Sequence, residues 1–128
     1  MRKVIQTTAA PNPLGPYNQA ILSNGTLYIS GQIAIDPTTD QIIKNTVEEE
    51  TQQVMRNLKA VLKAADMTFE NVVKSSIFIA DMNHFGKINQ VYGCYFKEET
   101  APARETVEVA RLPKDVRVEI SMIAVSPL

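Results

Sequence analysis

Histidine and cysteine are almost absent from this sequence, and tryptophan is absent altogether. The single His84 and the single Cys94 cannot furnish the ligand sets that zinc sites use, and no Asp/Glu run has the spacing of a calcium loop. One cysteine also cannot form an intrachain disulfide, which is typical of proteins in a reducing compartment. We therefore expect no metal site and a cytoplasmic location, and we assign neither residue to the functional site.

Long apolar runs are lacking as well. No stretch of about 20 apolar residues is available for a membrane-spanning helix, and the first residues do not resemble a signal peptide. The 13 basic and 14 acidic residues leave a formal charge of −1. Proteins that bind a phosphate backbone normally carry a broad positive field. The sequence thus disfavours a membrane location and disfavours nucleic acid as a main partner.

Three common motifs of nucleotide binding and catalysis are also missing. The sequence has no Gly-x-x-x-x-Gly-Lys, Gly-x-Gly-x-x-Gly or Gly-x-Ser-x-Gly segment. Phosphate-binding loops, dinucleotide-binding turns and nucleophile elbows are therefore not predicted. The chain length and the average content of apolar and charged residues predict one domain over residues 1–128.

Alternation of polar and apolar residues predicts sheet in the first third of the chain. Residues 2–6 form a short candidate strand. Residues 19–22 and 26–30 flank Asn24-Gly25, a pair that favours the tight turn of a β-hairpin. Residues 41–44 offer a further extended fragment after a polar interruption.

Helical periodicity replaces this alternation at Thr46 and continues to Ala65. Thr46 and Glu49 have the spacing of a capping box, which marks the start of the helix. A second apolar stripe, from Phe85 to Phe96, predicts a second helix preceded by capping residues.

Three more strands complete the prediction. Residues 72–80 have apolar side chains at both odd and even positions, as expected for a strand covered on both faces. Residues 104–110 and 117–125 alternate instead, which is typical of strands with one polar face. Strands interspersed with two helices predict a single α+β domain.

Two charged residues of the last strands are the best candidates for chemistry. Arg104 and Glu119 each lie on the polar side of a predicted strand. A guanidinium can grip a carboxylate through two parallel hydrogen bonds, and a nearby carboxylate can orient a water or exchange a proton. The pair would suit hydrolysis of a small acid; a solvated or salt-bridged sheet face is the alternative. Ser30-Gly31 would let a ligand approach the backbone, although a simple turn is the more common explanation.

An ordered set of short motifs resembles the Rid family, also called the YjgF or L-PSP family, along nearly the whole chain. The run VEVARLPKD after Pro-Ala-Arg is the most specific of them. The matching segments are Gly15-Pro16-Tyr17, Ser30-Gly31-Gln32-Ile33, Ala80-Asp81-Met82-Asn83, Pro102-Ala103-Arg104, Val107 to Asp115, and Val118-Glu119-Ile120.

The resemblance implies a chorismate-mutase-like fold, with a mixed sheet, two helices packed on one face, and a homotrimer whose clefts lie between subunits. The archetypal members of the family that this chain resembles hydrolyse 2-imino and 2-enamino acids to 2-oxo acids and ammonia. Their substrates include 2-aminoacrylate and 2-aminocrotonate. These substrates come from pyridoxal-phosphate-dependent dehydratases. The resemblance implies no cofactor for the deaminase itself.

The resemblance also implies roles for individual residues. Arg104 looks like the residue that pairs with the substrate carboxylate, and Glu119 looks like the carboxylate that positions the attacking water. The cleft-lining residues implied by position are Tyr17, Ser30, Gly31 and Asn89, together with Thr106.

Two positions depart from the family pattern. Many relatives have Ser-Cys after the arginine, whereas this chain has Glu105-Thr106. Thr106 is expected to contribute chiefly through its backbone. Strand alternation should direct Glu105 away from Arg104.

Two other functions stay open at this point. One is an endoribonuclease acting on single-stranded RNA, for which the basic residues Arg111, Lys114 and Arg117 would be the candidates. The other is a regulatory module that binds a small carboxylate in the same cleft. Arg104 would serve the regulatory module as well as it would serve the deaminase.

Overall fold

The computed structural model describes residues 1–127, which form six strands and two α-helices joined by loops and short 3-10 turns. The predicted order of elements is confirmed. In chain order they are β1 (Arg2–Ile5), β2 (Ala20–Ser23), β3 (Thr26–Gln32), α1 (Val47–Ala64), β4 (Val72–Ile79), α2 (Phe85–Gly93), β5 (Ala103–Glu108) and β6 (Val118–Val125).

All six strands belong to one sheet with the order β1-β2-β3-β6-β4-β5. Neighbouring strands are antiparallel except β4 and β5, which are parallel because α2 carries the chain back between them. The prediction of a mixed sheet in an α+β fold is therefore confirmed. The order also places β5 at an edge, beside the central strand β4.

Both helices cover the same face of this sheet. Every second residue of β6 points to that face and is buried, from Val118 to Ala124. Helix α1 packs its apolar stripe onto β3 and β6, while α2 packs against α1. The covered face is the hydrophobic core, and it confirms the predicted placement of the two helices.

The opposite face of the sheet carries no helix, and we call it the open face. It includes Tyr28 and Val73, which are exposed, and Phe78 and Ile123, which are half-buried. The prediction that the strand at 72–80 is covered on both faces is therefore wrong for the single chain. An apolar run cannot distinguish a side chain under a helix from one on an uncovered sheet face.

Helix α1 begins and ends with identifiable capping interactions. The Thr46 hydroxyl accepts a hydrogen bond from the Glu49 backbone N–H at 3.1 Å, as predicted. The Glu49 carboxylate instead accepts from the Asn45 side chain, so only half of the capping box forms. After the helix, Asp66 has a φ of 57°, and the N–H groups of Asp66 and Met67 donate hydrogen bonds to backbone carbonyls of the last helical turn. This is the Schellman arrangement.

Two predicted boundaries differ from the structure. The fragment at 41–44 forms only an isolated bridge between Ile35 and Ile42. Helix α2 ends at Gly93, and the predicted stripe continues to Phe96 in turns because Tyr95 and Phe96 pack as an aromatic cluster with Phe69. Neither helix among residues 1–127 is long and apolar enough to cross a membrane.

Candidate active site

Arg104 lies near the start of the edge strand β5 and points to the face that carries the helices. The parallel register places it beside Ser75 of β4. Its Nη1 donates a hydrogen bond of 2.7 Å to Oδ1 of Asn89, which lies on α2. The Cζ atom is 5.7 Å from the centre of the Phe85 ring and 5.2 Å from that of Tyr92. The guanidinium is therefore held by one helix although the side chain is exposed.

Tyr92 is itself held in place by a hydrogen bond to β4 and by a second aromatic ring. Its hydroxyl donates a 2.9 Å hydrogen bond to the Ser75 hydroxyl, and both residues are buried. The Phe96 ring packs against Tyr92 with a centroid distance of 4.8 Å. The sequence predicted Tyr92 and Phe96 only as parts of an apolar stripe, and it gave Ser75 no role.

Glu119 occupies the open face of the sheet. It pairs with Phe78 across β4 and β6, and burial raises the pKa of its carboxyl above the ordinary value of 4.5. Its carboxylate lies directly against Gly31. A Cβ atom added at Gly31 would lie 2.9 Å from Glu119 Cδ and 3.1 Å from Cγ, and closer still to Oε2. Any larger residue at this position would force the Glu119 side chain to move, since real Cβ atoms do not approach other atoms so closely.

Ser30 and Gly31 form an irregularity in the pairing of β3 with β6, between Ile29 and Gln32. Ser30 uses its hydroxyl to donate to the Asn18 carbonyl at 2.6 Å and its N–H to donate to the Gln19 carbonyl at 2.9 Å. The bulge thus ties down the loop that carries Tyr17. Bulges of this kind redirect single side chains beside functional sites.

Tyr17 and Gly31 line one cleft of about 340 Å³ at this side of the molecule. Other contributors are the proline-rich loop, Gln32 and Lys114. Tyr17 is half exposed and also borders a second shallow cleft with Ser30. Four of the predicted site residues, Tyr17, Ser30, Gly31 and Glu119, are therefore neighbours in the structure.

The structure separates these four residues from Arg104. Glu119 is on the open face, whereas Arg104 and Asn89 are on the helix face, with β4 between the two strands. Within one chain, Arg104 and Glu119 therefore do not share a side of the sheet. Polar and apolar residues alternate along both β5 and β6. This alternation does not show which face of the sheet the polar residues of each strand occupy, because a third strand separates β5 from β6.

The comparisons with known proteins are in agreement with each other. The family described as Endoribonuclease L-PSP matches residues 7–126. A RutC family protein of Synechocystis is 57% identical, with 98% of this chain and 97% of that protein covered. The mouse 2-iminobutanoate/2-iminopropanoate deaminase is 49% identical, with 98% and 92% covered. A crystal structure from the conserved Rid family of Yersinia pestis is 47% identical, with a TM-score of 0.95 over 98% of this chain and 100% of that one. The chain belongs to the Rid family.

One more Rid-family structure is informative about ligands. The crystal structure of Escherichia coli TdcF with bound serine is 40% identical to this chain, and it has a TM-score of 0.92 over 98% of this chain and 99% of that one. Serine is a small amino acid with one carboxylate.

The two positions that depart from the common Rid pattern lie on different faces. Glu105 is on the open face, where it accepts from Ser76 and pairs with Lys74 at 2.9 Å. The Lys74 ammonium lowers the pKa of the Glu105 carboxyl, together with the Ser76 hydroxyl. Thr106 shares the face of Arg104, and its buried hydroxyl has no hydrogen-bond partner among residues 1–127. Glu105 therefore does not reach the guanidinium of Arg104.

Two of the three basic residues considered for RNA binding are neutralised in this Rid protein. Arg111 Nε pairs with Asp115 at 2.6 Å, and Arg117 Nε pairs with the buried Glu50 at 2.6 Å. Lys114, at a φ of 56°, lies in the cleft with Tyr17. In the part of the chain that the structure describes, no three His, Cys, Asp or Glu side chains cluster to hold a metal ion.

Proposed function

We propose that this Rid protein is a cofactor-independent deaminase that hydrolyses short 2-imino and 2-enamino acids to 2-oxo acids and ammonia. The substrates would be 2-aminoacrylate, 2-aminocrotonate and their imine tautomers. The observation that carries the proposal is the fixed guanidinium of Arg104, held by Asn89 between two aromatic rings. The mouse relative named for this activity and the relative with bound serine support it.

Arg104 is suited to bind the carboxylate of such a substrate. Arginine has five N–H donors in one plane, and the hydrogen bond to Asn89 uses one of them. Two parallel N–H groups can then grip a carboxylate. Because the guanidinium is already held in place, less conformational entropy is lost when the acid binds.

Glu119 is suited to act as the general base that activates the attacking water. A carboxylate whose pKa is raised by burial can accept a proton from water more readily than an ordinary one. Water adds to the C2 carbon of the protonated imine, giving a carbinolamine, and Glu119 takes up the proton that the water loses. Glu119 then returns that proton to the carbinolamine nitrogen, and ammonia leaves with the C2–N electron pair as the hydroxyl proton passes to the Glu119 carboxylate and the C2–O bond becomes a carbonyl. An enamine first takes a proton at C3 and enters as the imine.

A site that uses both residues requires two subunits. Arg104 and Glu119 lie on opposite faces of one sheet, so a single chain cannot apply both to one small molecule. The open face carries exposed or half-buried apolar side chains, among them Tyr28, Phe78 and Ile123, which a second copy would cover. We therefore include in the proposal a homotrimer with each site formed between neighbours, and sizing of the native protein tests it.

The substrates also define the cellular context of the proposal. Imine acids hydrolyse spontaneously and react with other nucleophiles, so they must be used close to their source. Dehydration of serine or threonine by pyridoxal-phosphate enzymes releases them, and we place this protein downstream of such enzymes in the cytoplasm. The modest acceleration needed agrees with a site built from orientation and electrostatics.

The decisive experiment generates 2-aminoacrylate with a purified serine dehydratase and follows the imine absorbance with and without this protein. We expect acceleration by the parent and near-complete loss in Arg104→Ala and Glu119→Gln. Lys59→Ala is the matched control, because it removes a cation from the outer surface of α1. Equal imine decay with the parent and with no protein would exclude the deaminase.

A carboxylate-binding regulatory module is the second candidate, favoured by the relative that holds serine. It predicts binding of 2-oxobutanoate without any acceleration of imine decay. An endoribonuclease is disfavoured, since Arg111 and Arg117 each pair with an acidic residue, which offsets two of the three positive charges proposed for RNA binding. RNA cleavage that survives exhaustive purification and is lost in Lys114→Ala would reverse this conclusion.

A further inference from the structure

We propose that Tyr92 and Ser75 are positioning residues for Arg104, forming a buried support that holds the guanidinium in its carboxylate-binding orientation. This inference deepens the proposed function and rests on it for the identity of the ligand. Neither residue is accessible to a substrate, because Tyr92 is almost fully buried and Ser75 is completely buried. They would therefore act only through Arg104.

The first argument is the geometry around the guanidinium. An arginine at a sheet edge is normally mobile, and ordering it costs side-chain entropy. Here Cζ lies 5.2 Å from the Tyr92 ring centre and 5.7 Å from that of Phe85, both within the range of a cation–π contact. The hydrogen bond to Asn89 fixes the rotation about the last bond. Two rings and one amide thus leave the guanidinium a narrow range of positions.

The second argument is that Tyr92 is held from two further sides. Its hydroxyl donates to Ser75 Oγ at 2.9 Å, and the Phe96 ring packs on it at 4.8 Å. Ser75 is the β4 residue that pairs with Arg104 in the parallel register. The support therefore joins the strand neighbour of Arg104 to the ring beneath its guanidinium, and a shift of Tyr92 would shift Arg104.

The third argument concerns charge. Burial raises the pKa of the Tyr92 phenol above its ordinary value of 10.0, so the ring stays neutral to a higher pH than that of an exposed tyrosine. A phenolate at this place would pair with the guanidinium and compete with an incoming carboxylate. A neutral tyrosine supplies the attractive ring face without that competition. Ser75 provides the acceptor that a buried phenol needs.

The test compares Tyr92→Leu, which removes the ring face, with Tyr92→Phe, which keeps it and loses only the hydroxyl. Tyr95→Leu is the matched control, because Tyr95 packs at a tilt against Phe69 in the same aromatic cluster, whereas the rings beneath Arg104 are those of Phe85 and Tyr92. For each variant, calorimetry gives the Kd for 2-oxobutanoate, the coupled assay gives kcat and KM, and thermal unfolding gives Tm. The 15Nε relaxation of Arg104, assigned with Arg104→Lys, gives the order of the side chain.

We expect Tyr92→Leu to raise Kd and KM on the order of tenfold, with a smaller fall in kcat and a more mobile Arg104 Nε. Tyr92→Phe should raise Kd by about threefold and make Arg104 Nε measurably more mobile, since the ring remains but loses its hydrogen bond to Ser75. Tyr95→Leu should lower Tm to a similar extent with Kd and Arg104 order unchanged. Ser75→Ala should have the same effect on Kd and Arg104 order as Tyr92→Phe. The double variant Ser75→Ala/Tyr92→Phe should have a Kd no higher than that of either single variant, because both changes remove the same hydrogen bond.

Equal Kd values and equal Arg104 order in Tyr92→Leu and Tyr95→Leu would overturn the inference. If Tyr92→Leu does not fold, the same decision rests on Tyr92→Phe and Ser75→Ala, in which an unaltered Arg104 order would overturn it. Failure of the deaminase proposal has a different signature: the parent then accelerates no imine decay. The relaxation measurement still decides the support of Arg104 in that case, because it needs neither turnover nor ligand.

Discussion

Arg104 and Glu119 lie on opposite faces of the same sheet, with β4 between their strands. One chain therefore presents its anion-binding group and its acid–base group in different directions. Neighbouring copies can bring the two types of group together only if each copy contributes one. This arrangement makes the proposed activity a property of the assembly, which can be tested without any structure of the complex.

Mixing two inactive variants should restore part of the activity. Arg104→Ala keeps Glu119, and Glu119→Gln keeps Arg104, so a site between one copy of each can be complete. Random assembly of equal amounts after joint unfolding and refolding should give roughly a quarter of the parental activity, as expected for sites between adjacent copies. The measurement is imine decay in the coupled assay.

The control for this experiment is the same pair refolded separately and combined immediately before the assay. That sample should stay inactive as long as subunits do not exchange. Activity that never rises above that of the separate variants, although mixed assemblies form, would show that both residues act within one chain.

Gly31→Ala should disrupt the site through Glu119. The added Cβ would meet Cδ and Cγ of Glu119 at 2.9 and 3.1 Å, so the carboxylate must move. Displacement of a catalytic group by about 1 Å can cost on the order of a hundredfold in rate. We expect such a fall in kcat with a much smaller change in Tm, measured by the coupled assay and by thermal unfolding.

Gly93→Ala serves as the comparison, because a Cβ atom there meets nothing within 4 Å. It lies at the end of α2, where alanine is the better helix former, so activity should be unchanged and Tm unchanged or higher. A Gly31→Ala variant with parental kcat would contradict the assignment of Glu119 to the reacting centre.

Stability should depend on pH through Glu119. Its pKa is raised by burial from an ordinary 4.5, so the folded state binds more protons than the unfolded state just above that value. The free energy of unfolding contributed by this group is thus fully present below pH 4.5 and is lost as the pH rises through the raised pKa. Urea unfolding of the parent and Glu119→Gln over this range measures the difference between them.

The Gln variant has no carboxyl to titrate at this position, so the difference in unfolding free energy between parent and variant should decline with rising pH. Glu105, whose pKa is lowered by Lys74, acts in the opposite direction in both proteins and cancels in the comparison. A difference that grows with pH would mean that the folded state favours the charged form of Glu119. In the coupled assay, kcat/KM should instead rise through the same titration, as a base becomes available.

Asp66→Gly should stabilise the protein. Asp66 has a φ of 57° in the Schellman turn after α1, a conformation that glycine adopts without a Cβ penalty. The change also removes a negative charge from the C-terminal end of a helix. We expect a gain on the order of 0.5–2 kcal/mol in unfolding free energy by urea titration, as is common when a helix cap is improved. Asp66→Asn removes the charge alone, and an equal gain in both variants would assign the effect to charge rather than to the backbone.

Much of the fold could be predicted because single residues mark local structure. Thr46 begins α1 as its capping position indicates, and the Asn24-Gly25 pair closes the hairpin between β2 and β3. Alternation along β6 correctly separates its buried residues from Glu119. These signals depend only on neighbours in the chain, and so they can be recognised without the three-dimensional structure.

The candidate site could be predicted only in part, because it depends on strand order. The faces of Arg104 and Glu119 follow from the position of β4 between β5 and β6, which no local pattern encodes. Ser75 looks like an unremarkable polar residue in an apolar run, and its importance comes from pairing with Arg104 and from the hydrogen bond with Tyr92. Long-range register of this kind requires the folded chain.

The strand order has a further consequence for how copies of this chain can meet. Its two edges are β1, with Arg2 and Lys3, and β5, with charged residues that include Glu105 and Glu108. Charges on an edge strand oppose the addition of another strand by backbone hydrogen bonding. The charged edges of the sheet therefore oppose lateral growth into fibre-like stacks, and the uncovered face is the part of the sheet through which the proposed assembly would form.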